Sequence, residues 1–118
     1  MRILIAVALL LLAALATDAA RAHAFLDHSS PLVGSTVPSA PRQLTMWFSQ
    51  NLEPAFSSVQ VAGPNGARVD SGRARISANT IRVGLRPSGP GTYHVHWHAL
   101  SVDTHTTAGS FSFRVGGP

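Results

Sequence analysis

Apolar and polar side chains alternate in five segments of this chain of 118 residues. A period of two places every second side chain on one face of a β-strand, whereas a helix repeats about every 3.6 residues. Turn-forming Gly, Pro, Asn and Ser residues separate most of these segments, which are 44–49, 58–61, 81–85, 93–98 and 111–115. With less regular strands expected in 23–30 and 67–75, the pattern predicts one all-β domain, an antiparallel β-sandwich of about seven strands.

The N-terminal segment has a different composition. Residues 3–16 are all apolar and follow Arg2, and Ala20-Arg21-Ala22 comes shortly after them. A basic start, an apolar stretch of this length and an A-x-A site are typical of a signal peptide, here residues 1–22, cleaved before His23. A membrane-spanning helix needs about 20 apolar residues, so an uncleaved anchor is the less favoured alternative. Cleavage would leave residues 23–118 as an exported, periplasmic domain without stable membrane insertion.

Composition excludes several classes of protein. The chain has no Cys, which excludes disulfide scaffolds, thiol redox enzymes and Cys-ligated zinc or iron–sulfur sites. Its net charge is +4, and every basic residue is Arg. The Arg residues are scattered and not interleaved with aromatic residues, so we interpret the charge as a contribution to solubility, with no nucleic-acid partner.

The six His residues provide the candidate metal ligands. As the first residue after cleavage, His23 would offer its α-amine and Nδ1 to one metal ion in a six-membered chelate ring. Asp103 and His105 are two positions apart, and in an extended chain their side chains point to the same side, about 6–7 Å apart. Amine, imidazole and carboxylate donors together suit Cu(II). The alternatives are that His23 follows the cleavage site by chance and that Asp-x-His is an ordinary turn.

A second group of His residues occupies one strand. His94, His96 and His98 alternate with Tyr93, Val95 and Trp97, which are expected to face the core. The His residues therefore form either a solvated stripe or a second, weaker metal site, with His98 also a candidate for support of the first site. His28 is expected to be an exposed residue or a weak ligand.

Three segments of the chain resemble the periplasmic copper-binding proteins called CopC. They are H-S-S-P-L-V-G-S-T-V at 28–37, L-T-M-W-F-S at 44–49, and G-T-Y-H-V-H-W-H-A-L-S-V-D-T-H-T-T-A-G-S-F-S-F-R-V at 91–115. The resemblance covers residues 23–118 and implies an immunoglobulin-like, Greek-key sandwich that binds one Cu(II) per mature chain. It implies His23, Asp103 and His105 as the ligands, and an inner-membrane copper transport protein as a possible partner.

This chain departs from the family pattern at three places. Some members have a Met-rich loop that binds Cu(I), but residues 62–80 contain neither Met nor His. Gln50 replaces an acidic residue that is frequent after Phe-Ser, and Phe25 replaces a His that some relatives carry. The resemblance therefore implies a member that binds Cu(II) only.

Three functions follow from these features. The favoured one is a non-enzymatic Cu(II) protein that sequesters or carries copper in copper resistance or homeostasis. A copper-dependent oxidase or monooxygenase is the first alternative, since an N-terminal His also holds copper in lytic polysaccharide monooxygenases. The second alternative is an immunoglobulin-like interaction domain whose His residues are incidental.

Overall fold

The computed structural model describes residues 23–86 and 88–116. The predicted signal peptide and its cleavage site lie outside these residues, except for His23. The described chain forms eight strands and one short 3-10 turn, Pro54–Phe56. The strands are β1 Leu26–Ser30, β2 Thr36–Val37, β3 Gln43–Phe48, β4 Ser58–Ala62, β5 Asp70–Ser77, β6 Thr80–Leu85, β7 Gly91–Leu100 and β8 Thr106–Val115.

The strands form two sheets of four. The first sheet has the order β1-β3-β6-β5, and all its pairs are antiparallel. The second sheet has the order β2-β8-β7-β4 and is antiparallel except for the parallel pair of β2 and β8. The predicted all-β sandwich is therefore confirmed, and each of the five alternating segments corresponds to a strand. The structure has eight strands where about seven were expected. Within the described ranges, no helix is long and apolar enough to cross a membrane.

The core lies between the two sheets, as the alternation predicts. On β7, Tyr93, Val95 and Trp97 are buried while the residues between them are exposed. The Trp97 ring meets Phe48 of the first sheet edge-on, with ring centroids 5.0 Å apart. Met46 of β3 is completely buried in the same core. This edge-on contact helps to fix how one sheet packs on the other.

Gly109 on β8 makes room for the indole of Trp97. The two residues are register partners on β8 and β7. A Cβ added at Gly109 would lie 2.5 Å from Cζ2 of Trp97, which is closer than van der Waals contact allows. Only a residue without a side chain lets the ring lie flat against the neighbouring backbone.

Two polar contacts hold the ends of strands in place. The hydroxyl of Tyr93, near the start of β7, donates a hydrogen bond to the carbonyl of Gly89 at 2.7 Å. This contact of a Tyr with backbone a few residues upstream resembles the tyrosine corner of immunoglobulin-like sandwiches. Asp70 of β5 accepts hydrogen bonds from the amide of Val61 on β4 and from the guanidinium of Arg68. Asp70 therefore links the two sheets, and the hydrogen bond from Arg68 is the main reason that its pKa is lowered.

Candidate metal centre

The first described residues are clamped between the two sheets. Ser49, which follows β3, donates its hydroxyl proton to the carbonyl of His23 at 3.2 Å and accepts the amide of Phe25 at 2.9 Å. From the other sheet, the hydroxyl of Thr107 on β8 donates to the carbonyl of Ala24 at 2.6 Å. Ala24 itself is completely buried. These contacts fix the backbone that carries His23, although its imidazole is only half-buried.

This clamp brings His23 next to His105. The two imidazole centroids are 4.7 Å apart, with 28° between the ring planes. On the other side, the exposed ring of Phe25 stacks on His23 with centroids 5.9 Å apart. Residues from opposite ends of the described chain thus form a pair of imidazoles, with an apolar ring beside one of them.

Asp103 and His105 lie in the loop that connects β7 to β8. This loop is built around Ser101, whose side chain is completely buried and whose amide donates to the carbonyl of His105 at 3.0 Å. Thr104 between the two candidate ligands has a φ of 68°, in the left-handed region that non-glycine residues rarely adopt. The segment is therefore a tight turn, and the extended geometry considered for Asp-x-His from the sequence is wrong.

The structure brings together part of the predicted ligand set. His23 and His105 are neighbours, whereas Asp103 is an exposed residue of the same loop as His105. In residues 23–86 and 88–116, no three His, Asp or Glu side chains converge closely enough to hold one ion. The ligand set of His23, Asp103 and His105 therefore stays a prediction.

The remaining His residues lie elsewhere on the sandwich. His94, His96 and His98 are exposed on the outer face of β7, as the alternation predicts. Nδ1 of His96 lies 2.7 Å from the hydroxyl oxygen of Ser110, its register partner on β8. His28 stacks on Trp47 with ring centroids 4.3 Å apart and contacts the Asp27 carboxylate at 2.7 Å. His28 therefore packs on the outer face of the first sheet.

Four Arg residues that are scattered in the sequence line one groove. The groove lies over β3, β5 and β6 on the outer face of the first sheet and shares no residue with the His23–His105 pair. Arg75 of β5 and Arg82 of β6 are register partners in it, and Arg42 and Arg73 complete the basic lining. Strand pairing thus gathers a positive charge that looked dispersed along the chain.

The positioning residues Ser49, Thr107 and Phe25 were missed by sequence reasoning. Ser49 lies within a segment that carries the resemblance to CopC, but its contacts are to backbone atoms of residues 23 and 25. A hydroxyl that binds a distant carbonyl leaves no periodic pattern in the sequence. The only available signal was the position of Phe25, two residues after His23.

Comparisons with known proteins agree with this architecture. The model of the CopC domain family matches residues 26–116. The chain is 34% identical over 110 residues to protein YobA of Escherichia coli K12, covering 90% of this chain and 89% of that protein. It is 32% identical over 112 residues to copper resistance protein C of Xanthomonas campestris pv. juglandis, covering 87% of each.

A solved structure extends the likeness to three dimensions. The crystal structure of CopC from Methylosinus trichosporium OB3b superposes with a TM-score of 0.74 at 26% identity, covering 80% of this chain and 95% of that one. This chain therefore matches the fold of that CopC structure over nearly the whole length of the CopC structure. From the family match, the curated relatives and the shared sandwich, the chain belongs to the CopC domain family.

Proposed function

We propose that this protein is an exported, periplasmic Cu(II)-binding protein that sequesters or carries copper. Its ligands are His23, made N-terminal by removal of residues 1–22, together with Asp103 and His105. The observation that carries the proposal is the 4.7 Å approach of the His23 and His105 rings. Membership of the CopC family and the name of the Xanthomonas relative, copper resistance protein C, support copper as the cargo.

The available donors favour Cu(II) over Cu(I). The α-amine and Nδ1 of His23, the imidazole of His105 and the carboxylate of Asp103 supply three nitrogens and one oxygen. Nitrogen and oxygen donors of this kind suit Cu(II), which is also the divalent first-row ion that such sites bind most tightly. Cu(I) prefers thiolate and thioether ligands, but the chain has no Cys, and Met46, the only Met after residue 22, is buried in the core.

The hydrogen bonds around His23 explain how a chain terminus could serve as a ligand. A free terminus loses conformational entropy when it binds an ion, which weakens binding. Here Ser49 and Thr107 already hold the carbonyls of His23 and Ala24. Binding of one Cu(II) per mature chain would then not have to order the backbone at His23, and only the ligand side chains would have to converge on the ion.

Delivery and storage make different demands on such a site. Ligands at the surface, among them the exposed His105 and Asp103, leave the ion open to exchange with another protein. A carrier needs this access, and a possible recipient is an inner-membrane copper transport protein. Sequestration needs only slow release, so the rate of copper transfer to a competing chelator distinguishes the two roles.

The first test determines where the exported chain begins. Mass spectrometry of the protein recovered from the periplasm should show a chain that starts at His23 and carries one copper ion. A chain that retains residues 1–22, or starts at another residue, would contradict the amine ligand.

The second test compares variants in a Cu(II) competition titration. His105→Ala and a chain with one Ala added before His23 should both bind Cu(II) much more weakly than the unmodified mature protein. His28→Ala is the matched control, since its ring packs on Trp47 on the outer face of the first sheet. Unchanged affinity in the extended chain would remove the amine from the site, and unchanged affinity in His105→Ala would remove the imidazole pair.

A further inference from the structure

The outer face of β7 carries three exposed imidazoles that the proposed function does not use. His94, His96 and His98 alternate with buried residues in a strand that is flanked on both sides, by β4 and β8. Pairing along both edges holds the β7 backbone extended. The spacing of the three side chains is therefore set by the sheet itself.

That spacing suits chelation by two neighbouring His residues. Side chains two positions apart on a strand emerge from one face about 7 Å apart. Two imidazoles at this separation can turn toward one ion and bind it with nitrogen–metal distances of about 2.0–2.1 Å. His94 and His98 are four positions apart, about 13 Å, which is too far for the same arrangement. His96 is therefore the residue common to both possible pairs, His94 with His96 and His96 with His98.

His96 is also the imidazole whose orientation is fixed. Its Nδ1 lies 2.7 Å from the hydroxyl oxygen of Ser110 on β8. In the tautomer in which Nδ1–H donates to this hydroxyl, the contact orients the ring and Nε2 carries the free lone pair that a metal requires. Metal-binding His residues commonly use their second nitrogen in this way, because the contact restrains the ring and raises its basicity.

The surroundings of the stripe favour an ion held by two imidazoles and water. The register partners of the three His residues are uncharged: Ala62, Gln60 and Ser58 on β4, and Ser112, Ser110 and Ala108 on β8. No guanidinium or carboxylate stands at these direct register positions. On the same face of β8, the exposed Arg114 lies two positions beyond Ser112, next to the His94 end of the stripe. Across residues 23–86 and 88–116, no three His, Asp or Glu side chains converge on one point, so a third protein ligand is not at hand.

The geometry points to a second, weaker Cu(II) site on the outer face of β7, in which His96 binds the ion together with either His94 or His98. It is independent of the site proposed at His23, because it uses no residue of that site. Its two imidazole ligands predict weak and readily exchanged binding. Copper is the preferred ion because nitrogen sites bind Cu(II) most tightly among the divalent first-row metals.

The test uses the purified mature protein with His23→Ala and His105→Ala, which removes both imidazoles of the first site, titrated with Cu(II) and followed by electron paramagnetic resonance. This background should retain a Cu(II) signal that reports two nitrogen ligands. Adding His96→Gln should weaken the binding at least about tenfold, since loss of a mere supporting partner already costs about 10- to 100-fold. His94→Gln or His98→Gln alone should weaken it only about twofold, because one of the two pairs remains.

Two further variants keep the outcome interpretable. Ser110→Ala should weaken the binding by less than His96→Gln does, since it removes only the contact that orients the ring. Ser112→Ala is the matched control. It removes the hydroxyl opposite His94 and should leave Cu(II) binding unchanged. Thermal unfolding of each variant shows whether the fold is retained. Equal losses for all three His variants, an unchanged affinity in a folded His96→Gln protein, or no Cu(II) bound in the background without His23 and His105 would overturn the second site. A failure of His105→Ala to alter the tight site would instead contradict the proposed function.

Discussion

Ser49 and Phe25 exchange two hydrogen bonds. The amide of Ser49 donates to the carbonyl of Phe25 at 2.8 Å, and the amide of Phe25 donates to the hydroxyl oxygen of Ser49 at 2.9 Å. The same hydroxyl donates to the carbonyl of His23. One side chain thus joins the end of β3 to the segment that carries the proposed amine and imidazole ligands.

Ser49→Ala should weaken Cu(II) binding and also lower the stability of the fold. The variant loses the two contacts of the hydroxyl, each worth about 1 kcal/mol, but keeps the hydrogen bond from the Ser49 amide to the carbonyl of Phe25. The segment would become freer before binding, and supporting contacts of this kind are typically worth about tenfold or more in metal affinity. Ser35→Ala, which loses a hydroxyl contact to the carbonyl of Leu32, is the control. Equal copper affinities of the two variants in a competition titration would show that Ser49 does not position the site.

Gly109→Ala should destabilise the sandwich. The new Cβ would lie 2.5 Å from Cζ2 of Trp97, so the indole or the β8 backbone must shift. Overpacking of this kind costs about 1–3 kcal/mol. Gly116→Ala is the control, because the nearest atom to its Cβ would be 3.6 Å away, which is an ordinary contact. Urea unfolding followed by Trp fluorescence measures both, and equal midpoints would contradict the close approach.

Tyr93→Phe should lower stability without altering copper binding. The variant loses the hydrogen bond from the hydroxyl to the carbonyl of Gly89 but keeps the ring, which stacks on Phe113 with centroids 5.2 Å apart. A single hydrogen bond of this kind contributes about 1 kcal/mol. Thermal unfolding should show the loss, while the Cu(II) titration should match that of the unmodified protein. An unchanged unfolding temperature would mean that the corner contact does not stabilise the fold.

Asp70→Asn should reduce the acid sensitivity of the fold. The pKa of Asp70 is lowered, chiefly by the hydrogen bond from Arg68, so its carboxylate stabilises the folded state above the unfolded pKa, near 3.9. That contribution is lost as the pH falls through the lower pKa of the folded state. Urea midpoints measured from neutral pH down to about pH 2 should therefore fall more steeply for the unmodified protein than for Asp70→Asn. If the urea midpoints of the two proteins fell in parallel with pH, the stabilising role of the Asp70 carboxylate would be contradicted.

The strands could be predicted from the sequence wherever one face is buried. The residues of β7 alternate without interruption, because this inner strand has the core on one side and solvent on the other. β5 was expected at 67–75 but runs from Asp70 to Ser77, since its register shifts between Ser71 and Arg75 and blurs the alternation. β2 was missed because two residues are too few to show a period.

The candidate site was predictable only in its chemistry. His23 and His105 could be grouped because both offer nitrogen ligands, and the structure brings their rings together. The clamp by Ser49 and Thr107 could not be predicted, since it joins hydroxyls to backbone carbonyls of residues far away in the chain. The tight turn at Thr104 was equally hidden, because a left-handed φ at a non-glycine residue depends on the surrounding loop.

Under the proposed function, the burial of Ala24 has a consequence for where residues 1–22 must be removed. Its side chain is enclosed and its carbonyl accepts a hydrogen bond from Thr107, so Ala24 fixes the position of the residue that precedes it. A chain that began one residue earlier would have its amine beyond His23, and one that began one residue later would lack the imidazole of His23. Under the proposed function, an error of a single peptide bond by the processing protease would yield a folded protein without its tight copper site.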